Sequence, residues 1–126
     1  MACAEAWSVW EGRTSSLLPN QNLTSSFADP HFALAMARIE CHYFMHDSFL
    51  QPNQLLEHAD KLADIPGVIV HGRYDVVCPI DQAYALHQVW PTAHLQIVDD
   101  AGHSASEPGI VKALLAATDA FADRLT

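Results

Sequence analysis

The order of predicted elements after Pro66 restricts the fold more than any other feature of this sequence. GVIVHG is a short apolar run rich in β-branched residues, typical of a strand that is buried on both faces. IDQAYALHQVW then has a helical pattern, HLQIVDD favours a second strand, and residues 110–125 favour a helix with an apolar face. A strand, helix, strand, helix order predicts parallel strands joined by right-handed crossovers, and therefore an α/β fold.

The first 65 residues favour helices and loops instead. The first dozen residues predict a helix that ends at Gly12, and RTSSLLPNQNLTSSFADP predicts a loop. Asp29 and Pro30 have the pattern of an N-cap and a first helical residue, and this helix is predicted to run to about Met45. Residues 55–63 predict a short amphipathic helix. Because two parallel strands do not make a stable sheet alone, we expect the chain to be part of something larger.

Charge and cysteine content exclude several classes of protein. Fifteen acidic residues against six scattered basic ones give a formal net charge of −9, so no cationic patch for nucleic acid is predicted. No apolar run is long enough for a membrane helix, and the start of the chain lacks the basic region of a secretory signal. Cys3, Cys41 and Cys78 cannot all pair and form no CxxC, which favours free thiols in the reducing cytoplasm.

Asp75 and His103 follow the first and the second predicted strand. Consecutive parallel strands bring the loops at their carboxyl ends side by side, which is where sites form in α/β sheets. A carboxylate there can hold a histidine tautomer while the imidazole takes a proton from a nucleophile, and acid before histidine is the order of α/β-hydrolases. The alternatives stay open, since an aspartate after a strand is commonly a turn residue and His103 could be an ordinary loop residue.

No nucleophile accompanies this pair in the sequence. The chain has no G-x-S-x-G elbow, and none of its serines lies in a glycine-flanked turn between a strand and a helix. Ser104 is adjacent to the candidate base, where the geometry for attack is poor. Cys78 has no elbow either and suits a pocket-lining or packed position better. No HExxH motif or Cys/His cluster predicts a metal site.

Two glutamates have unusual local positions. Glu40 lies on a predicted helix face with Met36, Tyr43 and Phe44, where a carboxylate needs a cationic or hydrogen-bonding partner. Glu11 lies near a predicted helix C-terminus, where the helix dipole disfavours negative charge. Both positions would suit carboxylates that hold the ammonium group of a ligand, although the local pattern alone favours surface or structurally paired residues.

Four stretches of the chain together resemble one enzyme family. WSVWEG, ARIECHYF, IPGVIVHGRYDVVCP and AGHSASEPGI are similar to the C-terminal part of the proline iminopeptidases, the prolyl aminopeptidases of peptidase family S33 and the α/β-hydrolase superfamily. HGRYD and GHS indicate only an α/β-hydrolase, whereas the first two stretches resemble the helical cap of this family. The resemblance implies that residues 1–65 are a partial helical cap and that residues 66–126 are the C-terminal part of the catalytic domain.

The resemblance implies a role for each matching residue. Asp75 in GRYD matches the triad acid, and His103 in AGHS matches the triad base. Glu11 in WEG and Glu40 in RIE match cap carboxylates that bind the free amine of the substrate, and Cys78 matches a cysteine beside the proline-ring pocket. The implied partner is a peptide with an N-terminal proline, whose carbonyl a serine attacks to form an acyl-enzyme. The family requires no metal or organic cofactor.

The sequence lacks much of the family pattern. The oxyanion-hole loop, the nucleophile elbow and most strands would belong to an N-terminal half, and a capped domain of this kind needs roughly 250 to 300 residues. We therefore expect a partial gene product that is inactive alone and exposes the flank of its first strand. The alternatives are another α/β-hydrolase, acting on an ester, amide or epoxide, and a non-catalytic subunit that docks on an N-terminal partner.

Overall fold

The computed structural model describes residues 1–125, which form six α-helices and a two-stranded sheet. The helices are α1 (Ala2–Thr14), α2 (Gln21–Phe27), α3 (Pro30–Phe44), α4 (Gln54–Glu57), α5 (Ile80–Val89) and α6 (Pro108–Leu125), and the strands are β1 (Gly67–Gly72) and β2 (Ala93–Val98). Two short 3₁₀ turns, Asp47–Phe49 and Ala59–Leu62, flank α4. Among the described residues, no helix is both long and apolar enough to cross a bilayer.

The sheet has the predicted parallel arrangement. Strands β1 and β2 pair in parallel, with Gly67 opposite Ala93 and Gly72 opposite Val98. Helix α5 connects them, and both α5 and α6 pack against both strands. Val70 packs on a small buried cluster from β2, the loop after it and α6: Val98, Ala101, Ile110 and Ala113. The α/β fold class is thereby confirmed, and the two strands end at the same edge of the sheet.

Strand β1 is less buried than its composition predicts. Residues 67–71 are only half-buried, and Gly72 alone is fully buried. With β2 on one side, the other edge of β1 has no strand beside it among residues 1–125. The composition of β1 is typical of a strand that is buried on both faces, but β1 is covered on only part of its surface.

Helix α1 does not end at Gly12 as predicted. It continues to Thr14, and Gly12 is buried in its last turns. A Cβ on Gly12 would lie 2.8 Å from Cγ of Phe27, the last residue of α2. The glycine therefore allows α1 and α2 to approach closely, and it does not terminate the helix.

Side-chain caps mark the starts of α2 and α3. Asp29 Oδ1 accepts a hydrogen bond from the Phe32 amide at 2.8 Å, and Pro30 is the first helical residue, which confirms this predicted start. The predicted loop before it was wrong in part, because Asn20 Oδ1 caps α2 through the Leu23 amide at 3.0 Å. The predicted helix over 55–63 is instead α4 followed by the turn Ala59–Leu62.

Candidate active site

The loop after β1 fixes the carboxylate of Asp75 with its own backbone. Oδ1 of Asp75 accepts hydrogen bonds from the amides of Val77, at 3.0 Å, and Cys78, at 2.8 Å. The Tyr74 amide donates to the carbonyl of Ala101 at 3.0 Å, which ties this loop to the one after β2. The Asp75 side chain is 6% exposed, so the carboxylate is buried with Oδ1 already bonded and Oδ2 directed elsewhere.

Oδ2 of Asp75 contacts His103, the histidine that the sequence predicts as its partner. His103 Nδ1 lies 3.0 Å from this oxygen, and the His103 side chain is 39% exposed. A carboxylate partner at Nδ1 favours the tautomer that carries its proton there, which leaves the Nε2 lone pair free. The predicted juxtaposition at the carboxyl edge of the sheet is therefore present, while the catalytic roles of both residues stay predictions.

A second histidine approaches the same oxygen. His71 Nε2 lies 3.8 Å from Asp75 Oδ2, and His71 Nδ1 lies 2.9 Å from the carbonyl oxygen of Gly72. The distance to Oδ2 is too long for a hydrogen bond, so His103 is the direct partner of the carboxylate. The position of His71 four residues before Asp75 is the only sequence signal for this neighbour.

The loop that carries His103 is held by groups far away in the chain. The carbonyl of Ser15, directly after α1, accepts hydrogen bonds from the amides of His103 at 2.9 Å and Ser104 at 2.7 Å. The carboxylate of Glu107 accepts from the Gly102 amide at 2.8 Å and from the Leu17 amide at 3.0 Å. Sequence reasoning missed both Ser15 and Glu107, since backbone contacts of this range leave no local pattern.

Glu11, one of the two predicted cap carboxylates, interacts electrostatically with both Glu40 and His103. Trp7 of α1 donates its indole N–H to Oε2 of Glu40 on α3 at 2.6 Å. Burial, and then the charge of Glu40, raise the pKa of Glu11 above its usual value, while the charge of His103 acts in the opposite direction. Glu11 is therefore close enough to interact with Glu40 on α3 and with His103 in the loop after β2.

Cys78 completes the set of predicted residues. Burial, and then the charges of Asp75 and Glu11, raise the pKa of its thiol, so Cys78 is disfavoured as a thiolate nucleophile. Ser104 is no better placed, because its Oγ lies 2.7 Å from Oγ of Ser106 and its amide is bound by Ser15. Within residues 1–125, no group of three or more His, Cys, Asp and Glu side chains is arranged to hold a metal ion.

Comparison with known proteins identifies relatives of this chain. No family profile matches the chain. It is 57% identical over 122 residues to a proline iminopeptidase of Xylella fastidiosa, 57% over 123 residues to one of Xanthomonas citri and 48% over 119 residues to one of Arabidopsis thaliana. This chain is homologous to the proline iminopeptidases.

The homology covers almost all of this chain and a minor part of each relative. The matches take in 96%, 97% and 94% of the chain but only 39%, 39% and 31% of the three proline iminopeptidases. Together with the two parallel strands and their helices, this coverage is consistent with the C-terminal α/β-hydrolase portion of those proteins.

Proposed function

We propose that this chain provides the acid, the base and the amine-binding carboxylates of a serine-type prolyl aminopeptidase, which releases N-terminal proline from peptides. The observation that carries the proposal is the hydrogen bond of 3.0 Å between Asp75 Oδ2 and His103 Nδ1. The names of the homologous proteins support the aminopeptidase class.

The hydrogen bond between Asp75 and His103 supports a role for this pair in proton transfer. Asp75 is held by the Val77 and Cys78 amides, and it orients the imidazole and stabilises the imidazolium that forms when Nε2 accepts a proton. The exposed ring of His103 leaves Nε2 accessible to a serine hydroxyl. In the proposal this serine lies outside the chain, so residues 1–126 alone are inactive.

Glu11 and Glu40 would give the site its preference for a free amine. Each is a carboxylate on a mainly apolar helical layer, and their mutual repulsion contributes to the raised pKa of Glu11. A substrate ammonium group between them would relieve this repulsion and fix the first residue against the nucleophile. Cys78, which shares the charge environment of Asp75 and Glu11, would line the pocket for the proline ring.

The proposal also assigns the two parts of the chain and their compartment. Residues 1–65, with Glu11 and Glu40, would be part of a helical cap, and residues 66–126, with Asp75 and His103, would be the C-terminal part of the catalytic domain. Three free cysteines agree with a cytoplasmic protein.

A chimera tests the proposal directly. Residues 1–126 would replace the homologous segment of the Xylella fastidiosa proline iminopeptidase, and hydrolysis of L-prolyl aminomethylcoumarin would be measured. We expect an active chimera, a chain that is inactive alone, and inactivation by His103→Asn. Glu57→Gln changes an exposed glutamate outside the proposed site. It is the matched control for the substitutions Glu11→Gln and Glu40→Gln.

The substrate preference separates an aminopeptidase from another hydrolase. Glu11→Gln and Glu40→Gln in the chimera are expected to reduce activity on L-prolyl substrates far more than activity on N-acetylated or ester substrates. Equal losses on all three substrates would exclude amine binding by these carboxylates, and a chimera unaffected by His103→Asn would exclude the proposed base.

A further inference from the structure

Glu107 uses both oxygens of its carboxylate to connect two distant parts of the backbone. Oε1 accepts from the amide of Gly102, one residue before His103, at 2.8 Å. Oε2 accepts from the amide of Leu17, 90 positions away in the sequence, at 3.0 Å. Charge-assisted hydrogen bonds of this kind are stronger than those between neutral groups.

The carbonyl of Ser15 adds two bonds between the same segments. It accepts from the amides of His103 and Ser104 at 2.9 and 2.7 Å. We call these four bonds the loop clamp: Glu107 to Gly102 and Leu17, and Ser15 to His103 and Ser104. The clamp joins the His103 loop to Ser15 and Leu17, which follow α1, and Glu11 is on the last turn of α1.

A simple capping role does not explain the Glu107 side chain. Glu107 directly precedes α6, and its carbonyl accepts from the Val111 amide at 2.9 Å, as expected of a residue at a helix start. A capping side chain would bond to the first amides of its own helix. The carboxylate of Glu107 instead bonds to Gly102 and Leu17, which lie outside α6.

We propose that Glu107 is a positioning residue that fixes the separation between the base His103 and the amine-binding carboxylate Glu11. The inference depends on the proposed function, in which these two groups act on the same substrate residue. The α-amine and the carbonyl carbon of that residue are separated by a single carbon atom, so the two protein groups must keep a constant separation. A misplacement of about 1 Å can reduce the rate about 10²-fold.

The test is a double-substitution cycle on the 126-residue chain, with the side-chain carboxyl resonance of Glu11 followed by NMR. The charge of His103 lowers the pKa of Glu11, so His103→Asn is expected to raise it. In a Glu107→Gln background the amide NH₂ faces one backbone N–H, so one of the four bonds of the clamp is lost. The same His103→Asn change is then expected to raise the pKa of Glu11 less. Glu57→Gln is the control background, in which the full effect remains.

An equal effect of His103→Asn in the Glu107→Gln and wild-type backgrounds would overturn the proposal. Should Glu107→Gln prevent folding, Glu107→Asp keeps the charge on a shorter side chain that cannot span both amides, and the same reduced coupling is expected. The cycle needs no turnover, so its outcome is independent of whether the chimera is an active aminopeptidase.

Discussion

The loops after β1 and β2 carry the two partners of one hydrogen bond, but they are organised in opposite ways. Asp75 is fixed by the amides of Val77 and Cys78, only two and three residues ahead. His103 is fixed by Ser15 and Glu107, and Glu107 is itself bonded to Leu17. The carboxylate of Asp75 is thus held by amides of its own loop, whereas the loop that carries His103 is held by Ser15 and Leu17, which follow α1. The position of His103 relative to α1, which carries Glu11, therefore depends on contacts between distant parts of the chain.

The largest expected effect on activity comes from a substitution of Asp75, the residue that is held by amides of its own loop. Asp75→Asn keeps an oxygen for the Val77 and Cys78 amides but places an NH₂ group toward His103 Nδ1, which favours the wrong imidazole tautomer. We expect the chimera to lose about 10⁴-fold in kcat, as carboxylate loss does in serine-protease triads. Val77→Ala, which keeps the backbone amide, is the control and is expected to retain most activity. A loss below about tenfold would show that Asp75 does not orient the base.

Gly72 lies where the two loops meet, and a side chain there is expected to destabilise both. A Cβ on Gly72 would come 2.7 Å from the carbonyl oxygen of Ala101 and closer still to that of Gly102. Because backbone atoms cannot rotate away as side chains do, Gly72→Ala should cost about 1–3 kcal/mol or more of unfolding free energy, measured by urea denaturation.

Gly12→Ala provides a comparison from the other part of the chain. Its Cβ would also be crowded, by Phe27, but alanine raises helix propensity by about 1 kcal/mol and offsets part of the cost. We therefore expect a smaller loss than for Gly72→Ala. The reverse order would contradict the view that the contact between the two loops is rigid.

What could be predicted from sequence follows the same division between local and distant contacts. The N-cap at Asp29, both strands and the meeting of Asp75 with His103 depend on short patterns and on the rule that parallel strands end at one edge. The helix stop at Gly12 was wrong because packing on Phe27 outweighs the capping preference of glycine. Glu107 could not be predicted, since both of its amide partners are fixed by tertiary structure.

Glu11 is expected to make stability depend on pH in an identifiable direction. Its pKa in the folded chain is raised, mainly by burial and then by Glu40, so the folded state binds the proton more tightly than the unfolded state does. Folding stability should then fall as pH rises from the ordinary glutamate pKa through the raised one. Glu11→Gln removes this loss, so the variant should gain stability relative to wild type toward pH ~7, with little difference at pH ~4.

The Glu11 effect is best measured by urea denaturation across this pH range. Solvent screening keeps it small, because Glu11 is only half-buried. Glu57→Gln, at an exposed position, should show no such trend. A stability difference for Glu11→Gln that is constant with pH would mean that Glu11 is not perturbed by its neighbours in the folded chain.

The smallest expected effect concerns Cys78. It tests whether Glu11, on α1, interacts electrostatically with the loop that carries Asp75 and Cys78. Burial, Asp75 and Glu11 raise the pKa of its thiol, and the thiolate is the form that reacts with iodoacetamide. Cys78 should therefore be alkylated more slowly at pH ~8 than Cys3 and Cys41, which are internal controls in the same molecule and are exposed, as Cys78 is. Glu11→Gln should accelerate Cys78 alone. If it accelerates all three cysteines equally, the change is in folding, and if it accelerates none, Glu11 and Cys78 do not share a site.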